Sequence, residues 1–148
     1  MNLKESEILK IVEACEQELN INEKIKFSFD KKWSDNFPKK AGIYAIFYKD
    51  KLVYFGESAN LKERMKEVKR TYNHSFRRKL GKFLNSDAKI VKGKFDIKLE
   101  EELSLHFKDY LSFTYTEVNF GRKEIENHLM QRHEGVLNSI GKRSKTSL

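Results

Sequence analysis

GIYAIFYKDKLVYFGESANLKER, residues 42–64, decides how this chain folds. Gly42 to Tyr48 and Leu52 to Glu57 are rich in Ile, Tyr, Phe and Val, which suit a pleated surface, and Lys49-Asp50-Lys51 between them suits a hairpin loop. With Tyr48 paired to Leu52, Ile46 opposes Tyr54 and Tyr44 opposes Gly56, so the even-numbered side chains share one face. Tyr44 and Tyr54 are then diagonal neighbours, roughly 7–8 Å apart at the backbone, and Gly56 leaves room for a ligand to approach the sheet. Asn60 caps a following helix whose third residue is Glu63, an Asn variant of the capping box. That helix carries Arg64.

Outward from the hairpin, the apolar stripe Ile8, Ile11, Val12, Cys15, Leu19 predicts an amphipathic first helix, and Lys26 to Phe29 a short strand. Asp30 to Lys40, with the only Trp and the only Pro, reads as a connection into the hairpin. A helical piece follows Tyr72-Asn73-His74, with Phe76, Leu80, Phe83 and Leu84 as its apolar face and Gly81 a local weak point. Ile97 to Phe107 is helix-like, Leu111 to Val118 alternates as a strand should, and a last helix near Arg122 to His133 carries Glu126. The expected architecture is α+β: a small three-stranded antiparallel sheet flanked by helices. Residues 1–40 form an N-terminal helix, short strand and connection packed on the core, 41–138 the main domain, and 139–148 a basic tail expected to be mobile.

The formal net charge is +8, which favours an anionic partner such as nucleic acid or a membrane surface. Between Leu61 and Lys82 there are nine bases against two acids, Glu63 and Glu67. A basic surface is therefore expected beside the hairpin, with Lys62, Lys69, Arg70, Arg77, Arg78 and Lys79 as candidate nucleic-acid contacts. Cys15 is the only cysteine, which excludes a disulfide framework and a cysteine-based zinc site; its place on an apolar stripe makes it a structural thiol. The charged N-terminus has no signal-peptide apolar region, and no run of residues is long and apolar enough to span a bilayer, so the chain reads as cytoplasmic, with no membrane partner.

Taken together, Gly42-Ile43-Tyr44, Tyr54-Phe55-Gly56, the helical Leu61-x-x-Arg64 at a short interval, and Glu126 followed by Leu129-Met130 and then Asn138 resemble the GIY-YIG nucleases. These are metal-dependent enzymes that hydrolyse phosphodiester bonds in DNA, and the resemblance covers roughly residues 41–138. It implies DNA as partner, Mg2+ or Mn2+ as cofactor, and Glu126 as the metal ligand. One carboxylate is enough for a cation that keeps several waters and also binds substrate phosphate. By the same resemblance Tyr44 acts as general base or orients the attacking water, with its phenol pKa lowered by the metal. Tyr54 assists positioning, Arg64 stabilises the transition state through its planar fork, and Asn138 is a supporting hydrogen-bonding residue.

Three positions depart from the family pattern. Phe55 is an apolar change within the second tripeptide. Glu57 places an anion beside the expected phosphate site, where it would bind a second cation or repel substrate. Many relatives carry a His or Tyr four residues after the arginine, on the same helix face, and here that position is Val68, which cannot transfer a proton. His74 in the next segment is the candidate substitute, reaching phosphate or water. Each site residue taken alone has an ordinary structural reading; their joint occurrence carries the argument. A DNA-binding or regulatory domain whose active site has drifted, and a small basic RNA-binding or interaction protein, are the competing classes. A double-strand cutter of this size would act as a homodimer, because two cuts are needed.

Overall fold

The run Gly42–Tyr48 is apolar on both sides of its pleat, and the fold uses it as an inner strand buried on both faces. The computed structural model describes residues 4–133 together with Val136 and Leu137. In chain order the elements are α1 (Glu5–Ile21), β1 (Ile25–Lys26), a 3-10 turn (Trp33–Asn36), β2 (Gly42–Tyr48), β3 (Lys51–Ser58), α2 (Leu61–Glu67), α3 (Ser75–Leu84), α4 (Ile97–Tyr110), β4 (Leu111–Glu117) and α5 (Arg122–Arg132). The sheet has four antiparallel strands in the order β1-β4-β2-β3. The fold is α+β as expected, with one strand more than the three predicted: β1 pairs Ile25 with Phe113 and Lys26 with Ser112 at the edge of β4.

Two apolar layers sandwich the sheet. On one face Tyr44, Ile46 and Tyr54 pack with Leu61, Met65 and Val68 of α2 and its C-cap, Phe76 and Leu80 of α3, and Leu99, Leu103 and Phe107 of α4. On the other, Ile43, Ala45, Phe47 and Phe55 meet Val12, Cys15 and Leu19 of α1 and Ile125, Leu129 and Met130 of α5. Cys15 is buried there as a structural thiol, and burial pushes its pKa up. The stretch read as a connection is a packed plug. Trp33 lies 4.8 Å from Phe27 and 5.0 Å from Phe113 between ring centroids, and its indole Nε1 donates to the Lys26 carbonyl at 2.9 Å. Such ring pairs contribute about 0.5–1.5 kcal/mol each beyond the area they bury, so residues 25–37 are tied to the sheet.

The hairpin register is half as predicted. Tyr44 opposes Gly56 and Ile46 opposes Tyr54, but Tyr48 opposes Lys51, not Leu52, and Phe47 opposes Leu52. The turn is a two-residue one: Lys49 and Asp50 have φ of 51° and 65°, the left-handed pair whose twist matches that of the flanking strands. Val53 is the extra residue, absorbed as a bulge between the two registers. The slip sends Leu52 to the α1/α5 face and Val53 to the face of the tyrosines.

Two further expectations change. Phe83 is exposed, so the apolar face of α3 is Phe76, Leu80 and Leu84, and a Cβ on Gly81 would strike the Phe95 ring at 2.4 Å, so this glycine admits that ring rather than merely weakening the helix. Asn60 does cap α2, accepting from the Glu63 backbone N–H at 3.2 Å.

Candidate active site

Tyr44 and Tyr54 project from β2 and β3 onto one face, with ring centroids 6.3 Å apart and planes 29° from parallel. The space expected above Gly56 is taken by Tyr44 itself: a Cβ on Gly56 would lie 2.2 Å from the phenolic oxygen and 2.1 Å from Cζ. Gly56 is therefore a slot for the phenol and leaves no opening there for a ligand. Tyr44 is fully buried and Tyr54 nearly so.

The phenolic oxygens are anchored by consecutive residues at the start of α3. Tyr44 Oη lies 2.7 Å from His74 Nε2, and Tyr54 Oη 2.6 Å from Ser75 Oγ. His74 is the N-cap of α3, and its Nδ1 accepts the Phe76 backbone N–H at 3.0 Å. An Nδ1 that accepts carries no proton, so the neutral ring carries its proton on Nε2 and donates it to Tyr44. Burial, reinforced by Arg64 and Arg78, pushes the His74 pKa down to about 3. His74 therefore contacts a phenol rather than phosphate or solvent, which corrects the expectation that it reaches the substrate. Val68 is fully buried in the core.

Arg64, on α2, is half-buried. Its Nη1 donates to the Asn73 carbonyl at 3.1 Å and lies 3.5 Å from Glu67 Oε2. Burial pushes the Tyr44 pKa well above the ordinary phenol range, Tyr54 and Glu126 push the same way, and the Arg64 charge opposes them. The phenol alone is thus poised high, opposite to the lowering expected with a metal. Burial and the Glu126 charge raise Tyr54 as well. The charge of the Glu126 carboxylate, carried by α5, pushes both phenols up. Asn138 lies outside the described residues.

Whether these side chains suit a metal is a matter of donor count. Among the described residues no three of His, Cys, Asp or Glu gather into a site. Glu126 with two nearby phenols is too small a set to enclose zinc, and suits a hard cation that keeps most of its waters.

Glu57 is not aimed at the phenols. It sits on β3 opposite Ile43, and its Oε2 accepts from Arg122 Nε at 3.0 Å. The pair ties β3, next to Gly56, to the first residue of the helix that carries Glu126.

The candidate nucleic-acid contacts divide. Arg77 is buried, donating to Glu100 Oε1 at 3.0 Å, to the Glu100 carbonyl at 2.8 Å and to Ser104 Oγ at 3.1 Å, with its guanidinium 5.1 Å from the Phe107 ring centroid. It is a core residue and cannot meet phosphate; this corrects the surface expectation. Lys62 is held by Asp35 at 2.9 Å, and Arg78 donates to the Tyr72 carbonyl at 2.9 Å. Lys79 is half-buried. Arg70 is exposed and Lys69 half-buried, and neither side chain enters an ion pair among the described residues. Ser75 escaped the sequence reading, since a serine at a helix start reads as an ordinary terminus; its only signal was adjacency to His74.

A family model, the GIY-YIG catalytic domain, matches residues 25–147. No curated protein and no solved structure matches the chain. The match begins at β1, so the short strand and aromatic plug fall within it.

Proposed function

The chain belongs to the GIY-YIG family, whose domain is a nuclease domain, and from that premise we propose that it is a divalent-metal-dependent DNA endonuclease acting through Tyr44, Arg64 and Glu126. The observation that carries this reading is a buried phenol with its own donor: His74 donates to Tyr44 Oη at 2.7 Å, and the Arg64 and Glu126 charges are both felt by that phenol. Binding alone would not call for a buried phenol with a dedicated donor beside a carboxylate.

Hydrolysis needs a water deprotonated in line with the phosphorus, charge stabilisation on the phosphoryl oxygens, and a departing oxygen that can be protonated. Mg2+ or Mn2+ held by Glu126 would supply Lewis-acid charge to the phosphoryl oxygens and to an ionised Tyr44. Tyr44, once it has released its own proton to solvent, would take the proton of the attacking water. The Nε2–H of His74 occupies one lone pair of that oxygen and stabilises the phenolate, so His74 is a positioning residue. Tyr54, anchored by Ser75, packs against Tyr44 and excludes water from its ring. Arg64 places its guanidinium against the phosphoryl oxygens, held in orientation by the Asn73 carbonyl. The departing oxygen takes a proton from solvent.

Plasmid and single-stranded DNA incubated with Mg2+ or Mn2+ test this directly. Cleavage should appear with either ion, stop with chelator and return when the ion is restored. Glu126→Gln should remove metal-supported turnover while leaving the fold and most DNA binding intact, since the side chains are nearly isosteric and only one is an anion. Arg64→Lys should lose roughly 10²–10³-fold, the scale of one missing charge-stabilising donor. Wild-type protein that binds both DNAs yet cleaves neither would sink the catalytic reading and leave a DNA-binding domain that retained the fold.

A further inference from the structure

Resting on the nuclease reading, we infer that Tyr72 and the Val91–Lys94 turn form a stacking platform for an unpaired base of the DNA substrate, close to the cleaved phosphodiester. Tyr72 is 72% exposed, whereas Tyr44 and Tyr54 are at 1% and 6%. An exposed tyrosine on a slack loop would mean little, but this backbone is pinned. Arg78 donates to the Tyr72 carbonyl at 2.9 Å, and Arg64 to the carbonyl of Asn73 at 3.1 Å. The preceding Thr71 is buried, its Oγ1 donating to Glu100 Oε2 at 2.6 Å.

The ring is also backed from a distant part of the chain. Val91 and Lys94 exchange backbone hydrogen bonds of 2.8 and 3.2 Å around Lys92 and Gly93, whose φ values of 53° and 79° make a tight two-residue turn. A Cβ on Gly93 would lie 2.3 Å from Tyr72 Cδ2, so the turn tip lies directly against the ring and leaves the rest of it to solvent. The two segments that make this platform are basic: residues 69–73 and 89–94 contain Lys69, Arg70, Lys89, Lys92 and Lys94, while the Glu100 carboxylate on Thr71 is paired with Arg77. An aromatic surface in a basic setting is the arrangement that holds unpaired nucleotides, because any base offers a π face and the phosphates supply the charge. Bases inside a duplex are already stacked on each other and offer no such face. Tyr72 lies two residues from His74, at most about 7 Å between their Cα atoms, so the platform stands next to the candidate active site in the chain. The substrate class indicated is DNA with an unpaired base beside the cut, such as a flap, bulge or frayed end.

The test is binding in chelator, so that no cleavage intervenes, to three DNAs of one sequence: a full duplex, a single strand, and a duplex with one unpaired 2-aminopurine. Tyr72→Ala should weaken binding of the single strand and the unpaired-base duplex roughly tenfold, the scale of one lost stack, change duplex binding less than twofold, and abolish quenching of the 2-aminopurine. Tyr72→Trp should restore all three readouts, and melting curves should match wild type. Equal losses on all three DNAs, or none, overturn the platform. Wild-type protein that cleaves DNA with metal while Tyr72→Ala discriminates no differently overturns the platform and leaves the nuclease reading standing. Stacking without cleavage of any DNA overturns the nuclease reading alone.

Discussion

A ring nitrogen that accepts a backbone N–H cannot also carry a proton without losing that bond, and this decides what His74 does. Burial disfavours the charged ring, and a proton would add a third positive charge beside Arg64 and Arg78, hence its pKa of about 3; the same proton would also break the contact with Phe76. The folded pKa lies below the unfolded value near 6.5. Between those two pH values the unfolded chain binds the proton and the folded one does not, so stability rises with pH across the window and is lost on acidification. The slope from this one group is about 1.4 kcal/mol per pH unit. His74→Gln has nothing to titrate, so its stability should fall more shallowly than wild type from pH 6.5 to 5, as read from urea melts. Parallel declines would remove the locked tautomer. Tyr44 carries the complementary prediction. Without metal, burial holds its phenol protonated at neutral pH, so as the base Tyr44 should make the single-turnover rate climb with pH, at up to tenfold per unit, until the metal-loaded phenol is ionised. A flat profile with chemistry rate-limiting would assign the base elsewhere.

At the level of elements, the hairpin shows what a one-residue slip changes. A three-residue loop with continuous pairing and a two-residue turn followed by a bulge both place Tyr44 opposite Gly56 and Ile46 opposite Tyr54; they differ only near the turn, where Leu52 and Val53 exchange faces. The functional half was therefore readable from alternation alone. The turn was not, because Lys49-Asp50 lacks the Asn-Gly or Asp-Gly signal that announces a left-handed pair. Gly56→Ala tests the part that holds. Its Cβ would lie 2.1–2.5 Å from Tyr44 ring atoms, in a paired segment of β3 whose backbone has little freedom to yield. The phenol must move, costing about 1–3 kcal/mol of overpacking, and cleavage should fall by roughly 10²-fold or more because the base is misplaced by about 1 Å. A melting curve and a cleavage assay matching wild type would contradict the slot. Contacts between distant segments were the least readable. The pairing of Arg77 with Glu100 and the backing of Tyr72 by Gly93 join segments about 20 residues apart, and no local periodicity encodes them. The hydrogen bond from His74 to Tyr44 was hidden similarly, since a loop histidine gives no sign that it will cap a helix and face a phenol.

For the whole molecule, a net charge of +8 makes an anionic partner favourable, but charge counts only where it can reach one. Arg77 belongs to the densest basic run and is spent internally on Glu100, whereas Arg70 is exposed and Lys69 half-exposed beside the site. These two groups should respond in opposite ways. Neutralising Lys69 and Arg70 together removes up to two phosphate contacts, so the slope of log affinity against log salt on duplex DNA should flatten by up to about 1.8, while the melting temperature stays near wild type. Arg77→Ala leaves the Glu100 carboxylate, partly buried, without its cation, and should cost about 3–5 kcal/mol of stability. Any folded fraction of it should retain the wild-type salt slope, because the lost charge never faced solvent. Titrations from 50 to 200 mM salt alongside urea melts separate the two effects. A flattened slope for Arg77→Ala with unchanged stability would return that arginine to the DNA-facing surface and overturn the assignment of the exposed charges to Lys69 and Arg70.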